Sequence, residues 1–402
     1  MRTLNVLDAM MGMGKTTAMI RYINELPDDR PIIFCTPLLP QVERVQTGCT
    51  QRHIVAPSDE FMTKTANIKV LIQAGLNIAT THSLFLRFDE EILELIRERH
   101  YTLIVDEAMD VLSLYEISGY DAETILEKYC TVLDDGQLVW TEQDYDGAFE
   151  QYKCDIDTGT VFKYGKTSLI RMCKIEAFEV FDEVFVMTYL FEGHPCKAYF
   201  DFNGWTYKQW YVGGDTHETY HLSETPVEYH HPDYKTLITI KHHFNGSNLE
   251  TGKSAFSLKW FEENCRYETA QFAALKRHLA TFFRQHGGDG CENNMWTSFK
   301  AFRDDLKGSR YANGFVPCNS KATNEFRHKT VLAYPINRYM NPHLVNFISK
   351  YGGKLKHNDY ALTEMVQWVW RSAIRDGKPI IIYIPSDRMY DIFTNWLNGL
   401  NT

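Results

Sequence analysis

Short apolar runs alternate with helix-length amphipathic stretches over the first hundred residues. Leu4 to Leu7 is an apolar run, and the amphipathic stretch Thr17 to Leu26 follows it. Pro31 to Cys35 has the composition of a buried strand, and Leu39 to Val45 then has helical periodicity. Asn77 to Thr80 and Leu103 to Val105 are further short strands. Strands separated by helix-length segments predict parallel βαβ units and an α/β fold. Residues 111 to about 180 lose this rhythm and are rich in Asp, Tyr and Gly, which predicts an insertion. Val184 to Met187 then completes the first sheet. Lys197 to Tyr211 is aromatic and alternating, with a Gly-Gly-Asp turn at Gly213, and 260–286 is helical. Strand-like pieces at Met295 to Phe299, Gly314 to Pro317, Val331 to Tyr334 and Pro379 to Ile384 predict a second α/β domain. The expected division is 1–195 and 196–402, and no short-period repeat or low-complexity segment interrupts it.

Composition narrows the class. A chain of 402 residues is long enough for two domains, and 44% hydrophobic with 14% aromatic residues supplies sizeable cores. No apolar run approaches the roughly 20 residues that span a bilayer, and the N-terminus lacks the pattern of a secretory signal. The nine cysteines form no C-x-x-C pair, so zinc is not expected and a reducing, cytoplasmic setting is. The formal charge of −10 argues against tight, sequence-independent nucleic-acid binding by net charge. It leaves room for a locally positive groove on an acidic surface.

Two stretches carry recognisable chemistry. Leu7 to Thr17 reads L-D-A-M-M-G-M-G-K-T-T, between a strand and a helix. Its spacing matches a phosphate-binding loop with alanine in the first glycine position. Gly12 and Gly14 let backbone N–H groups curl around an anion, and the following helix points its positive end at it. Gly12, Met13, Gly14, Lys15, Thr16 and Thr17 are therefore the candidate ATP-phosphate cradle, with Lys15 reaching the β- and γ-phosphates. The rival is an ordinary glycine turn. Tyr101 to Asp110 reads Y-T-L-I-V-D-E-A-M-D. A strand ending in two carboxylates suits the other half of such a site: Asp106, with the Thr16 hydroxyl, for Mg²⁺, and Glu107 to polarise the attacking water. The rival there is a solvated acidic loop.

With both stretches present, the chain resembles the superfamily 2 helicases of the DEAD/DEAH-box type. Asp106 to Met109 stands where that family has its D-E-A-x box. Cys35 to Val42 resembles motif Ia and Thr80 to Leu84 resembles the segment before the acidic strand. The resemblance implies nucleic-acid backbone contacts at Thr36, Pro37, Thr80, Thr81 and His82; for Thr80 to Ser83 a helix cap is an equal reading. Thr188-Tyr189 stands at motif III. Ala361 to Arg375 is similar to motif VI. As one helix it lines up Gln367, Arg371 and Arg375 at i, i+4 and i+8. The resemblance makes these three the residues that face nucleotide. The family's arginines stand three apart and these stand four apart, so either could be the finger, with Arg371 at the usual distance from Gln367. Lys321 to Asn324 and Met295 to Lys300 stand at motifs V and IV.

The resemblance implies two RecA-like P-loop domains with parallel sheets, the first carrying the insertion. It implies an ATP-dependent, Mg²⁺-using motor on DNA, with RNA as the alternative, partnered by replication or recombination proteins. The compact layout is more like a phage or mobile-element helicase, which would work in the host cytoplasm. The rivals are a P-loop packaging-type ATPase and a helicase-fold binding protein without unwinding activity. Other constellations are weaker. The six histidines between His217 and His243 lack zinc-ligand spacing. No spacing makes a nuclease of Asp155, Asp157 and Asp201, and Trp205, Trp210, Trp260, Trp368 and Trp370 suit a core better than base stacking.

Overall fold

The computed structural model describes residues 2–229, 232–243, 249–288, 291–319 and 325–400. The chain divides into two compact units. The first is Met1–Val227 with Asn341–Leu355, and the second is Glu228–Met340 with Lys356–Thr402.

The first unit is built on β1 (Thr3–Asp8), β2 (Ile32–Thr36), β3 (Ile54–Val55), β4 (Asn77–Thr81) and β5 (Thr102–Asp106). Helices Lys15–Glu25, Leu39–Gly48, Lys64–Gln73 and Glu90–Arg99 connect them. The insertion holds β6 (Leu112–Leu114), β7 (Cys130–Val132), β8 (Leu138–Trp140), β9 (Val161–Tyr164) and β10 (Ser168–Met172). The main sheet resumes with β11 (Glu183–Thr188), β12 (Thr206–Gly213) and β13 (His221–Ser223). Its order is β13-β12-β1-β11-β5-β2-β4-β3, and all neighbours are parallel except the β12–β13 hairpin. β2 and β5 are buried along their whole length, which is why they read as unbroken apolar runs. The C-terminal ends of β1, β5 and β11 lie side by side, where open α/β sheets bind ligands.

The break expected at residue 195 falls inside this unit. β12 pairs with β1, and Trp210 donates its indole N–H to Asn5 at 2.9 Å across that pairing. Lys197 to Tyr211 is likewise two elements, a helix Pro195–Phe202 and then β12. Tyr199 and Phe200, adjacent in sequence, both bury against Phe178 with centroids 6.1 and 5.1 Å apart. That aromatic run produced the apparent alternation.

The insertion has its own core of Ile125, Leu138, Trp140, Ile156, Val161 and Leu169, with Tyr129 stacked on Trp140 at 5.3 Å. It also takes up a helix from much later in the chain, Pro342–Lys350. Asn341 caps that helix through the His343 N–H, with Pro342 in its first turn. Phe347 meets Phe162 and Tyr164, each at 6.1 Å, and the Tyr351 hydroxyl donates to the Asp135 carbonyl at 2.8 Å.

The second unit holds a parallel four-stranded sheet of β14 (Ile238–Lys241), β15 (Asn294–Trp296), β16 (Val331–Ala333) and β17 (Ile380–Tyr383), in the order β14-β17-β16-β15. Gly314 to Pro317 joins it only as a single bridge, Trp296 to Phe315. Helices Leu258–Arg266, Ala270–His286, His357–Val369 and Asp387–Gly399 accompany it. All five tryptophans considered for base stacking are buried, Trp368 fully and Trp210 least at 9% exposure. Among the described residues no helix is long and apolar enough to cross a membrane.

Candidate nucleotide site

The loop between β1 and helix Lys15–Glu25 turns on Gly12 at φ 88° and Gly14 at φ 76°, conformations that L side chains rarely adopt. Met13 N–H bonds the Met10 carbonyl at 3.3 Å, which closes the loop. Gly14 starts the helix with no side-chain cap, and the first turn points its N–H groups and the positive end of the helix toward the loop, where an anion would bind. Lys15 folds back, its Nζ donating to the carbonyls of Ala9 and Met10 at 2.5 and 3.2 Å. A phosphate oxygen is the stronger acceptor for the same ammonium.

Thr16 donates its hydroxyl to Asp106 Oδ2 at 3.1 Å. This contact joins the phosphate-loop helix to the end of β5 and supplies a hydroxyl and a carboxylate to one point, a donor set that suits Mg²⁺. Asp106 is 6% exposed. Burial pushes its carboxyl above the ordinary range, while the Lys15 charge, the Thr16 hydrogen bond, the Arg44 charge and the Glu107 backbone oppose that shift. A divalent ion would answer the same imbalance. Glu107 follows at φ 63°, in the left-handed region that a non-glycine residue occupies only under constraint.

Two further contacts tie this point to its neighbours. His82, buried at the start of helix His82–Phe85, donates its Nε2–H to the Asp106 carbonyl at 3.0 Å. Asp8 at the end of β1 accepts from the backbone N–H groups of Leu190 and Phe191 at 2.8 and 2.9 Å, which fixes the loop after β11. Burial raises the Asp8 carboxyl as well, against those two N–H groups and the Lys15 charge.

Thr36, Pro37, Thr80 and His82 are buried. Thr36 donates to the Leu38 carbonyl at 3.0 Å, and Thr81 caps helix His82–Phe85 through the Leu84 N–H at 3.4 Å. The cap reading thus belongs to Thr81. Thr188 accepts the Ala9 N–H on its carbonyl at 3.1 Å.

The arginine segment departs from a single helix. Helix His357–Val369 stops at Trp370, and a 3₁₀ turn covers Ala373–Asp376. Ser372 bonds back to the Val369 carbonyl through its N–H and its hydroxyl, at 3.0 and 2.7 Å. Ala373 N–H turns instead to the Lys329 carbonyl at 2.9 Å. Trp370 is wedged against Tyr234 and Trp396 at 5.0 and 5.3 Å, and this packing ends the helix. Gln367 stays helical, Arg371 lies buried in the turn, and Arg375 is half-buried in the 3₁₀ segment, so the three share no continuous helical face. Lys321 to Asn324 lies outside the described residues.

Two residues at the site escaped the sequence reading. Arg44 on helix Leu39–Gly48 reaches the Thr17 hydroxyl at 3.3 Å. Tyr220, in the β12–β13 hairpin, lays its ring so close to Gly14 that a Cβ there would stand 2.3 Å from it. Arg21 holds the same hairpin through the Glu218 carbonyl.

Comparison with known proteins extends these observations. Residues 232–397 match the family described as the YonV C-terminal Rossmann-like domain. The chain is 31% identical over 416 residues to the SPbeta prophage-derived protein YonV of Bacillus subtilis (strain 168), a match covering 99% of this chain and 100% of that one. A solved XPD helicase has a TM-score of 0.52 at 12% identity, covering 100% of this chain and 95% of the other. An apo XPD structure has a TM-score of 0.53 at 13% identity, covering 99% and 95%. At such identities the likeness is one of fold: two RecA-like domains with parallel sheets and an insertion in the first.

Proposed function

The chain belongs to the YonV family, and we propose that it is an ATP-dependent motor on nucleic acid, a DEAD/DEAH-like helicase or translocase of a phage or mobile element. DNA is the first candidate track, in replication or recombination, and RNA the alternative. The observation that carries the reading is the 3.1 Å bond from Thr16 to Asp106, which joins two motifs separated by 90 residues beside Lys15.

In this reading Lys15 leaves the carbonyls of its own loop for the β- and γ-phosphate oxygens of ATP, and the first-turn N–H groups orient the same phosphates. Thr16 and Asp106 would hold Mg²⁺, which when bound neutralises charge on the phosphates. Glu107 orients the attacking water and takes its proton. An arginine of the second unit, Arg371 or Arg375, stabilises charge on the transferring phosphoryl group, with Gln367 beside it in the same segment. The segments at Thr36-Pro37 and Thr80-Thr81-His82 bind the nucleic-acid backbone. Thr36, Thr80 and His82 are buried, and Thr81, half-buried at the start of its helix, is the most accessible of these residues to a phosphate. His82 then links that strand to Asp106, and Asp8 links the phosphate loop to residues 190–191.

The test is the ATP hydrolysis rate alone and with single-stranded DNA, duplex DNA or RNA. Turnover stimulated by one of them and abolished by Lys15→Ala is expected. A Lys15→Ala protein that turned over ATP like the wild type would overturn the phosphate-loop assignment. Wild-type hydrolysis indifferent to every nucleic acid would favour the packaging-type ATPase, and absence of hydrolysis the binding protein.

A further inference from the structure

His242 and His243 follow the last residue of β14, and Asp387 opens the helix after the neighbouring strand β17. In sequence the histidines are adjacent and the carboxylate lies far away, so no ligand spacing is visible. Adjacent residues within a strand would point to opposite faces. These two have left the strand, and their rings converge with centroids 3.7 Å apart. One nitrogen from each and one Asp387 oxygen all lie within 4.8 Å of one another.

The geometry of the three is that of ligands to a common ion. His242 Nε2 stands 3.1 Å and His243 Nε2 3.3 Å from Asp387 Oδ1. Ligand atoms about 2.0–2.1 Å from a tetrahedral zinc stand roughly 3.3 Å from each other. Among the described residues Asp387 Oδ1 is buried at the atom and accepts no hydrogen bond, despite having both imidazoles at that range. His242 has its other nitrogen committed: Nδ1 donates to the Ile384 carbonyl at 2.6 Å, which leaves Nε2 with its lone pair. Tyr390 stacks on the same ring at 4.1 Å and 12° and fixes its plane. The His243 side chain is 45% exposed, so the cluster opens to solvent on one side.

We propose that His242, His243 and Asp387 bind a divalent transition-metal ion of the zinc class, with solvent completing the coordination. Two imidazoles and one carboxylate suit zinc and cobalt and are poor for Mg²⁺. The ion cross-links the C-terminal ends of β14 and β17 within the second unit. It is independent of the nucleotide site and of the motor reading.

Cobalt(II) titration of the intact, reduced protein tests this, because its spectrum distinguishes imidazole and carboxylate ligands from thiolates among the nine cysteines. One equivalent should bind, with visible bands of a four- or five-coordinate ion and no thiolate charge-transfer band, and zinc should displace it. His243→Ala and Asp387→Ala should each weaken binding by more than the roughly 10–100-fold that loss of an outer partner costs. His243 packs least, so its variant should keep the wild-type circular dichroism and metal-free melting temperature. The zinc-induced rise in melting temperature should vanish in it. No saturable cobalt binding by the wild type, a thiolate spectrum, or wild-type affinity in both variants would each overturn the site.

Discussion

Asp106 ends β5 in the first unit with its carboxyl pushed up by burial, beside a glycine loop whose helix has no side-chain cap and a Glu107 held at φ 63°. Arg388 follows β17 in the second unit; burial disfavours its charge too, but its guanidinium is bonded along its length. It donates to the Asn337 side chain and the Arg338 carbonyl, each at 2.8 Å, and to the His357 carbonyl at 3.0 Å, and it lies 4.1 Å over the Tyr339 ring. Nearby Arg338 pairs with Glu364 at 3.2 Å. The Asp106 charge is disfavoured by burial that its neighbours only partly offset, while the Arg388 guanidinium is engaged by four oxygen acceptors and an aromatic ring. Polar groups that a fold leaves under-compensated, at the C-terminal edge of a parallel sheet, mark where a ligand supplies the balance; fully bonded ones are scaffold. Substituting the first kind should remove activity and spare the fold, and substituting the second should do the reverse.

The largest separation is expected from the arginine segment. Arg371→Ala should slow hydrolysis by roughly 10³–10⁵-fold with little change in ATP affinity, as for a residue acting on transition-state charge. Arg375→Ala should have a smaller effect. Single-turnover rates decide it, and a larger loss at Arg375 would move the finger onto the 3₁₀ turn. If neither mattered, the second unit would have no part in hydrolysis.

Glu107→Gln should come next, lowering turnover by about 10²–10⁴-fold while ATP still binds. Nucleotide titration and turnover measured on the same sample check both halves. Collapsed affinity with surviving turnover would reverse the assigned role.

Arg388→Ala should cost the fold about 1.5–3 kcal/mol, because charged hydrogen bonds are lost and acceptors are left unpaired. Urea unfolding measures it, and a neutral result would erase the contrast between the two regions.

The smallest effect on stability is expected from Asp106→Asn, with opposite sign. The folded protein binds the Asp106 proton more tightly than the unfolded chain does, since burial raises the carboxyl. The group's contribution is therefore most favourable below its ordinary value of about 3.9, and it is lost as pH rises through the raised folded value. The asparagine variant should melt higher than wild type near neutral pH, converge with it in acid, and hydrolyse no ATP. A variant that melted lower at neutral pH would show that the carboxylate stabilises this edge.

The candidate nucleotide site was legible because its residues are contiguous. Gly12, Gly14, Lys15 and Thr16 are contiguous, and Asp106-Glu107 closes an apolar run that only a buried strand explains. Most of the parallel strands were legible for the same reason, but β3 and β14, only two and four residues long, were not. The end of the helix at Val369 was not: the apolar pattern runs on through Ile374 and no glycine interrupts it before Gly377, so only the packing of Trp370 stops it. Arg44, Tyr220 and Asp387 reach their sites through tertiary folding and carry no mark in their neighbours. The boundary at 195 was misplaced because β12 adds to the first sheet through an ordinary parallel crossover that composition does not flag.

The late helix Pro342–Lys350 bears on how the chain is made. Its Phe347 completes the apolar contact with Phe162 and Tyr164, so the first unit lacks part of its surface until the ribosome has delivered residue 355. By then residues 228–340, most of the second unit, have already emerged. Domains generally fold in order of synthesis, the N-terminal one first. Here that order is broken by connectivity: the insertion waits with an aromatic face uncovered while the other unit begins to form. A nascent chain arrested before residue 341 should engage chaperones more than one arrested after 355.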